Sequence, residues 1–235
     1  MAKITARNAR IVLNGHNVSC DSNNIVVSRT AEAPEVTSFC DDNRTRLAAG
    51  IKDFEITVDG FVNMSPSGTD ALYAELLNGR VMGNLFPEGW APSNVAHGFV
   101  GVISNYEMTY ATEDAAATSI TITASGLYTR GKSLGYLANV AAGSTTGCSV
   151  DNAASTLNGY MFLHVLELQA GAIVSASLLH SSNDVTYTTA GVISPIAASG
   201  QSGSVSVSSA SRYIQMKYGA TGGSATILGA YGSWI

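Results

Sequence analysis

A mainly β protein of two domains is what this sequence predicts, on three observations. Residues 53–59 alternate cleanly, with Phe54, Ile56 and Val58 on one side and Asp53, Glu55, Thr57 and Asp59 on the other, the two-residue period of a strand with one wet face. The composition is 46% hydrophobic yet only 12% charged, with 24 glycines, which suits short strands joined by tight turns. Helical spacing is found over one short stretch, around Leu72 and Leu76. At 235 residues the chain is long enough for one large or two ordinary domains, each able to bury a core.

Taken from the start, residues 1–10 carry Lys3, Arg7 and Arg10 with little pattern and read as a basic arm that frays. Ile11, Val12 and Leu13, then Asn14-Gly15, then His16 to Val18 predict a hairpin, because Asn-Gly supplies the positive φ angles of a type I′ turn. A strand follows at 24–29. Residues 31–50 are too long for a simple connection. Pro34 and a tip carrying Asp41, Asp42, Arg44 and Arg46 make them an exposed loop that delivers charge outside its own fold. After the alternating strand at 52–62, Ser67-Gly68-Thr69-Asp70 opens a short helix over 71–77 that Gly79 ends, with Leu72, Leu76 and Leu77 on the face turned to a sheet. Residues 81–96 read as a strand fading into a loop at Pro87, Gly89, Trp90 and Pro92, and 97–110 and 117–125 are the next strands.

The composition shifts after Lys132. Of twelve Lys and Arg only Arg212 and Lys217 lie beyond it, and of seventeen acids only Asp151, Glu167 and Asp184. This places a boundary between a first domain, 1–137, and an appended one, 138–235, with the small polar residues 138–158 as linker or first loop. Strands are predicted at 160–169, 173–180, 185–192, 204–208, 212–218 and 225–231. Six short strands without a helix describe a β-sandwich, Ig-like or jelly-roll-like.

Little here points to chemistry. A formal net charge of −5 argues against a protein that grips phosphates. Cys20, Cys40 and Cys148 are too few and too widely spaced for a disulfide framework or a zinc site, and His16 with Cys20 and Cys40 makes a poor metal cluster. Residues 126–133, Gly-Leu-Tyr-Thr-Arg-Gly-Lys-Ser, match the phosphate-binding P-loop pattern letter for letter. That pattern needs a parallel sheet and a helix whose N-terminal amides face the phosphates, whereas strands dominate on both sides, so a polar strand exit is the better reading. His97, His164 and His180 lie in predicted strands without a neighbouring acid or cysteine, and no Gly-x-Ser-x-Gly elbow occurs. The expectation is a protein without catalytic residues, metal or cofactor. The polar start and the lack of any run near ~20 apolar residues predict neither a signal peptide nor a membrane span.

The order of charged loop, Ala-Gly-Ile-Lys-Asp at 49–53, acidic-faced strand and Asp59-Gly60-Phe61 resembles the tail tube (major tail) proteins of long-tailed, non-contractile bacteriophages. The likeness runs through residues 9–132. It includes the Asn-Gly hairpin, Ile25-Val26-Val27-Ser28-Arg29 with Ala31-Glu32, and Val36-Thr37-Ser38-Phe39 leading to Asp41, then a single short helix and strands ending in a Gly-rich exit. The resemblance implies an N-terminal tail-tube β-sandwich or barrel domain, and a structural virion protein whose hexameric rings stack into a pipe that conducts DNA during ejection. By the same resemblance Asp53, Glu55 and Asp59 line the lumen, where they repel phosphate, and Asp41, Asp42, Arg44 and Arg46 reach the neighbouring ring. Implied partners are other copies of the chain, the tape measure, tail terminator and distal tail proteins, and passing DNA that is not tightly held, with no membrane. The implied location is the virion tail, assembled in the host bacterial cytoplasm. The competing reading is a carbohydrate-binding module of a phage or bacterial surface protein, with Tyr187, Tyr213, Tyr218 and Trp234 as exposed aromatics. A nucleotidase using residues 126–133 is third.

Overall fold

The computed structural model describes residues 6–33, 35, 52–65, 68–112, 114–153 and 157–234. The protein is mainly β and built of antiparallel sheets, as the sequence predicts. In chain order the strands are β1 (Arg10–Leu13), β2 (His16–Asn17), β3 (Ser22–Ala31), β4 (Lys52–Phe61), β5 (Arg80–Phe86), β6 (Val95–Thr109), β7 (Ala117–Val140), β8 (Gly143–Thr146), β9 (Val150–Asp151), β10 (Leu157–Leu168), β11 (Ile173–Ser181), β12 (Thr188–Ile196), β13 (Gln201–Ala210), β14 (Tyr213–Thr221) and β15 (Ala225–Trp234). Among the described residues one α-helix, α1 (Thr69–Leu76), lies between β4 and β5 in the chain, and a 3-10 turn at Ala6–Asn8 precedes β1.

The chain forms two compact units that interleave in sequence: Met1–Cys20, Arg80–Gly101 and Gly126–Ile235 make the first, Asp21–Gly79 and Val102–Ser125 the second. This is a different division from a cut after Leu137. Such a cut falls inside β7, whose stretch from Thr129 to Val140 pairs with β15 at the far end of the chain. Residues 138–158, expected as a linker or first loop, carry the end of β7 together with β8 and β9.

In the first unit the strand order is β13-β10-β15-β7-β6-β5-β1-β2. The β1–β2 hairpin forms as predicted, with Asn14 at φ 45° and Gly15 at φ 82°, both on the positive side that a type I′ turn demands. The sheet curls until this turn lies against Val165 and Gln201. A Cβ on Gly15 would fall 2.7 Å from the Gln201 nitrogen, so glycine is required there for space as well as for φ.

Strand β10 explains why its sequence is nearly continuously apolar: it is buried on both faces. Met161, Leu163 and Val165 join Val174, Leu178, Ile214 and Met216 in the core under a second sheet, ordered β12-β11-β14-β9. On the opposite side Phe162 packs with Val100 and Leu127, while Leu166 packs beside Val12, Phe86, Leu228 and Ala230. Each fully buried side chain of this size contributes about 1.5–3 kcal/mol. The sandwich predicted for the C-terminal strands thus exists, and its shared sheet also closes a core with strands from the first hundred residues.

The second unit is a four-stranded sheet in the order β3-β4-β7-β6, using residues 117–125 of β7 and 102–109 of β6. Phe54, Ile56 and Val58 of β4 are buried, as are Ile120 and Ile122 of β7, Ile103 of β6, and Leu72 and Tyr73 of α1. The buried face of α1 is Thr69, Leu72 and Tyr73, with Leu77 40% exposed, so the predicted pairing of Leu72 with Leu77 fails. The helix stops at Leu76; Leu77 is extended at ψ 127° and bridges to Ile103. Asn78 at φ 60° is the left-handed residue that turns the chain, and the Gly79 N–H closes on the Leu76 carbonyl at 2.7 Å.

Candidate functional site

The face of the second unit opposite its buried residues is polar by register. Cross-strand neighbours point the same way. Asp53, Glu55, Thr57 and Asp59 on β4 therefore share a face with Thr30, Ser28, Val26 and Asn24 on β3, and the last three with Thr123, Thr121 and Ser119 on β7. Three carboxylates thus stand in a row among hydroxyls and amides. Asp53 and Glu55 are exposed; Asp59 is half-buried and held from both sides, its Oδ2 accepting from Asn24 Nδ2 at 2.9 Å and its Oδ1 from the Ser119 hydroxyl at 2.7 Å. The predicted trio Asp53, Glu55 and Asp59 is brought together. The loop residues Asp41, Asp42, Arg44 and Arg46 lie outside the described residues.

Strand β3 has a further property that its sequence did not announce. Among the described residues it pairs with β4 alone, and none of its ten residues is buried. Val26 is 49% exposed on it. A long outer strand with an apolar residue at its centre is a template for another strand. The dry side is pinned more firmly: the Tyr106 hydroxyl donates to Asp70 Oδ1 at 2.5 Å and its ring meets Tyr73 edge-on at 5.8 Å, tying α1 to β6.

Residues 126–133 run as extended strand within β7, so the P-loop pattern here has neither the loop nor the helix that binds phosphate. Among the described residues no group of three or more His, Cys, Asp or Glu could hold a metal ion. Cys20 and Cys148 are exposed free thiols. No described helix is long and apolar enough to cross a membrane. The aromatics expected to face a sugar are largely engaged elsewhere. Tyr218 is buried in the sandwich core, Tyr213 lies under the Arg212 guanidinium at 5.2 Å, and the Tyr187 hydroxyl meets the Asp184 carboxylate and Ser149. Hydrogen bonds from Ser149 and Tyr187 lower the Asp184 carboxyl, and the bidentate Arg212 fork, 3.0 and 2.7 Å away, lowers Asp151 to about 2.

A buried polar line in the first unit also went unnoticed in the sequence. His164, fully buried, meets Asn84 Oδ1 at 2.7 Å through Nε2 and the Ser202 hydroxyl at 2.5 Å through Nδ1. Asn84, itself 1% exposed, donates its Nδ2 to the His97 carbonyl at 3.2 Å. That bond fixes the amide, so Oδ1 is an acceptor, Nε2 of His164 carries the proton, and Nδ1 accepts from Ser202. Burial pushes the imidazole down to about 3. The available signal was a histidine in the middle of an otherwise apolar strand.

No family model and no curated protein matches the chain. Among solved structures, a chain from the virion of a native gene transfer agent particle is 14% identical with a TM-score of 0.47, over 55% of this chain and 98% of that one. A chain from the tail of an empty gene transfer agent particle, computed with helical refinement and C6 symmetry, is 15% identical with a TM-score of 0.45, over 54% and 97%. The SPP1 Dit (gp 19.1) protein, described as a hub of the adsorption apparatus of phages infecting Gram-positive bacteria, is 13% identical with a TM-score of 0.37, over 95% and 98%.

Proposed function

We propose that this chain is a structural subunit of a phage tail tube, in which six copies join edge to edge through the sheet of the second unit and the rings stack into a pipe for DNA. The observation that carries the reading is the outer strand β3, which among the described residues pairs with β4 alone and has seven of its ten residues exposed and none buried. The far end of a neighbour's β6, past the Leu77 bridge at Ile103, is its natural partner, because joining it to β3 leaves no outer strand in a closed ring. Four strands per copy make 24 in a ring of six, and at about 4.8 Å per strand the backbone circle is about 37 Å across before strand tilt widens it, enough for side chains and a duplex. A ring of three would have half that width and be filled by its own side chains.

In such a ring the row Asp53, Glu55 and Asp59 lines the channel. Its charge repels phosphate, so the genome slides instead of binding. Asp41, Asp42, Arg44 and Arg46 set register against the next ring, a use of paired charge that gives orientation more than affinity. Tape measure, terminator and distal tail proteins would meet the two ends, and assembly would take place in the host cytoplasm.

Negative-stain microscopy of concentrated protein tests the reading directly, with two proline variants as controls. Backbone N–H groups alternate in direction along a strand, so of Val26→Pro and Val27→Pro one removes a bond to β4 and the other removes a bond on the open side. Rings from the wild type, with one variant folded yet unable to form them, are expected. Rings from both variants would take β3 out of the assembly.

A further inference from the structure

We propose that the first unit carries a binding site for a neutral saccharide, built on the exposed ring of Tyr136 and the hydroxyl of Tyr218. Both residues line a pocket of 370 Å³ at the end of β7, together with Leu137, Val140, Ala142 and Thr145. That volume lies at the small end of the range for small-molecule sites.

Tyr136 is a shelf fixed before any ligand arrives. Its cross-strand neighbour Leu228 packs in the core beside Trp90, so Tyr136 leaves the strand on the same side and meets that tryptophan. The two rings stack with centroids 4.8 Å apart and planes 11° from parallel, yet Tyr136 is still 40% exposed, so the face turned away from Trp90 is open. Trp90 is itself held: its carbonyl accepts from the Ser133 hydroxyl at 2.8 Å, and the Arg10 guanidinium lies over its ring at 5.8 Å. The side-chain freedom that a loose tyrosine would lose on binding is therefore already gone in the free protein.

Tyr218 reaches the pocket from inside the sandwich. It stands on β14 within the core at 7% exposure, and among the described residues its hydroxyl has no hydrogen-bond partner. A buried tyrosine hydroxyl ordinarily finds one. This oxygen is not among the side-chain atoms sealed from solvent, so it is left for whatever enters the pocket. Thr145, exposed on β8, adds a second hydroxyl. Among the described residues no charged side chain lines the pocket, so a charged ligand would give up hydration without a counter-charge. A purely apolar ligand would leave both hydroxyls unpaired. A neutral sugar suits both features, since the C–H face of its ring lies flat on an aromatic ring while its hydroxyls exchange hydrogen bonds with Tyr218 and Thr145. The site lies within one compact unit and needs no ring of copies, so it stands apart from the tube reading.

Saturation-transfer NMR and calorimetric titration of the whole chain with four neutral probes, cellobiose, maltose, lactose and N,N′-diacetylchitobiose, test the site. Binding of at least one in the millimolar range is expected, weakened at least about tenfold in Tyr136→Ala and about fivefold in Tyr218→Phe. The second change removes only a hydroxyl that no described residue holds, so its urea midpoint should stay at or above that of the wild type, which separates ligand contact from folding. Tyr187→Ala, beside Asp184 and Ser149, should bind as the wild type does, and loss of binding there overturns the proposal. Native protein that takes none of the four sugars, or unchanged binding in either the Tyr136 or the Tyr218 variant, also overturns it. So does a Tyr136→Ala variant that differs from the wild type only in sedimentation, which would make the shelf a contact between copies.

Discussion

Acidification should destabilise this protein well above the pH at which its carboxylates protonate, because of one residue. His164 titrates at about 3 in the folded chain, pushed down by burial, against 6.5 when unfolded. Below 6.5 the unfolded state therefore takes up a proton that the folded state refuses. The contribution to stability is complete above about pH 7 and is lost as the pH falls from 6.5 toward 3. The two values give a loss of about 2 kcal/mol at pH 5 and about 3 kcal/mol at pH 4, with a ceiling of about 5 kcal/mol. Asp151, lowered to about 2 by its hydrogen bonds from Arg212, gives up its own contribution only below its unperturbed 3.8, so of these two groups only the histidine acts between pH 7 and 4.5. Urea unfolding midpoints of the wild type and of His164→Gln, measured from pH 7.5 to 4, separate this residue from every other titrating group. The variant starts lower, having lost the fitted network, and should then fall less steeply with pH. Parallel lines for the two proteins would mean that His164 is not the buried neutral ring described here.

Three further outcomes are expected. Replacing Asp53, Glu55 and Asp59 together by Lys turns about eighteen negative charges per proposed ring into positive ones within roughly a Debye length, ~8 Å, of passing phosphates, so genome ejection should stall with strong salt dependence while the triple Asn variant ejects nearly normally; wild-type ejection by the Lys variant in low salt would mean the face does not line the lumen. Gly98→Ala places a Cβ 2.3 Å from the Phe162 ring and should cost about 1–3 kcal/mol by urea titration, part of it regained by adding Phe162→Leu. A chain ending at Leu137 loses the β15 partner of β7 and the Phe162, Leu228 and Ala230 side of the core, so it should be recovered only as aggregate; a soluble truncation with cooperative melting would show that residues 1–137 fold alone.

Much of the local structure was legible because it is decided locally. The alternation at 53–59 places Phe54, Ile56 and Val58 in the core and the three carboxylates outside, since a two-residue period admits only two assignments and burial selects one. Asn14-Gly15 specifies its turn through φ alone. The drop in charge after Lys132 was visible too, but its cause was not. Read as a domain boundary, it is explained by burial only in part: β10 and β15 are covered on both faces, where charged side chains have no water to reach, whereas β11 to β14 keep one face open to water and carry mostly small polar residues there. Tertiary structure alone decided the rest. That β7 belongs to both units, that β3 is an outer strand, and that His164 meets Asn84 eighty positions away all depend on which strands become neighbours. Strand pairing is set by the summed fit of distant faces, so a period read along one segment shows which side of a strand is dry but not what will cover it.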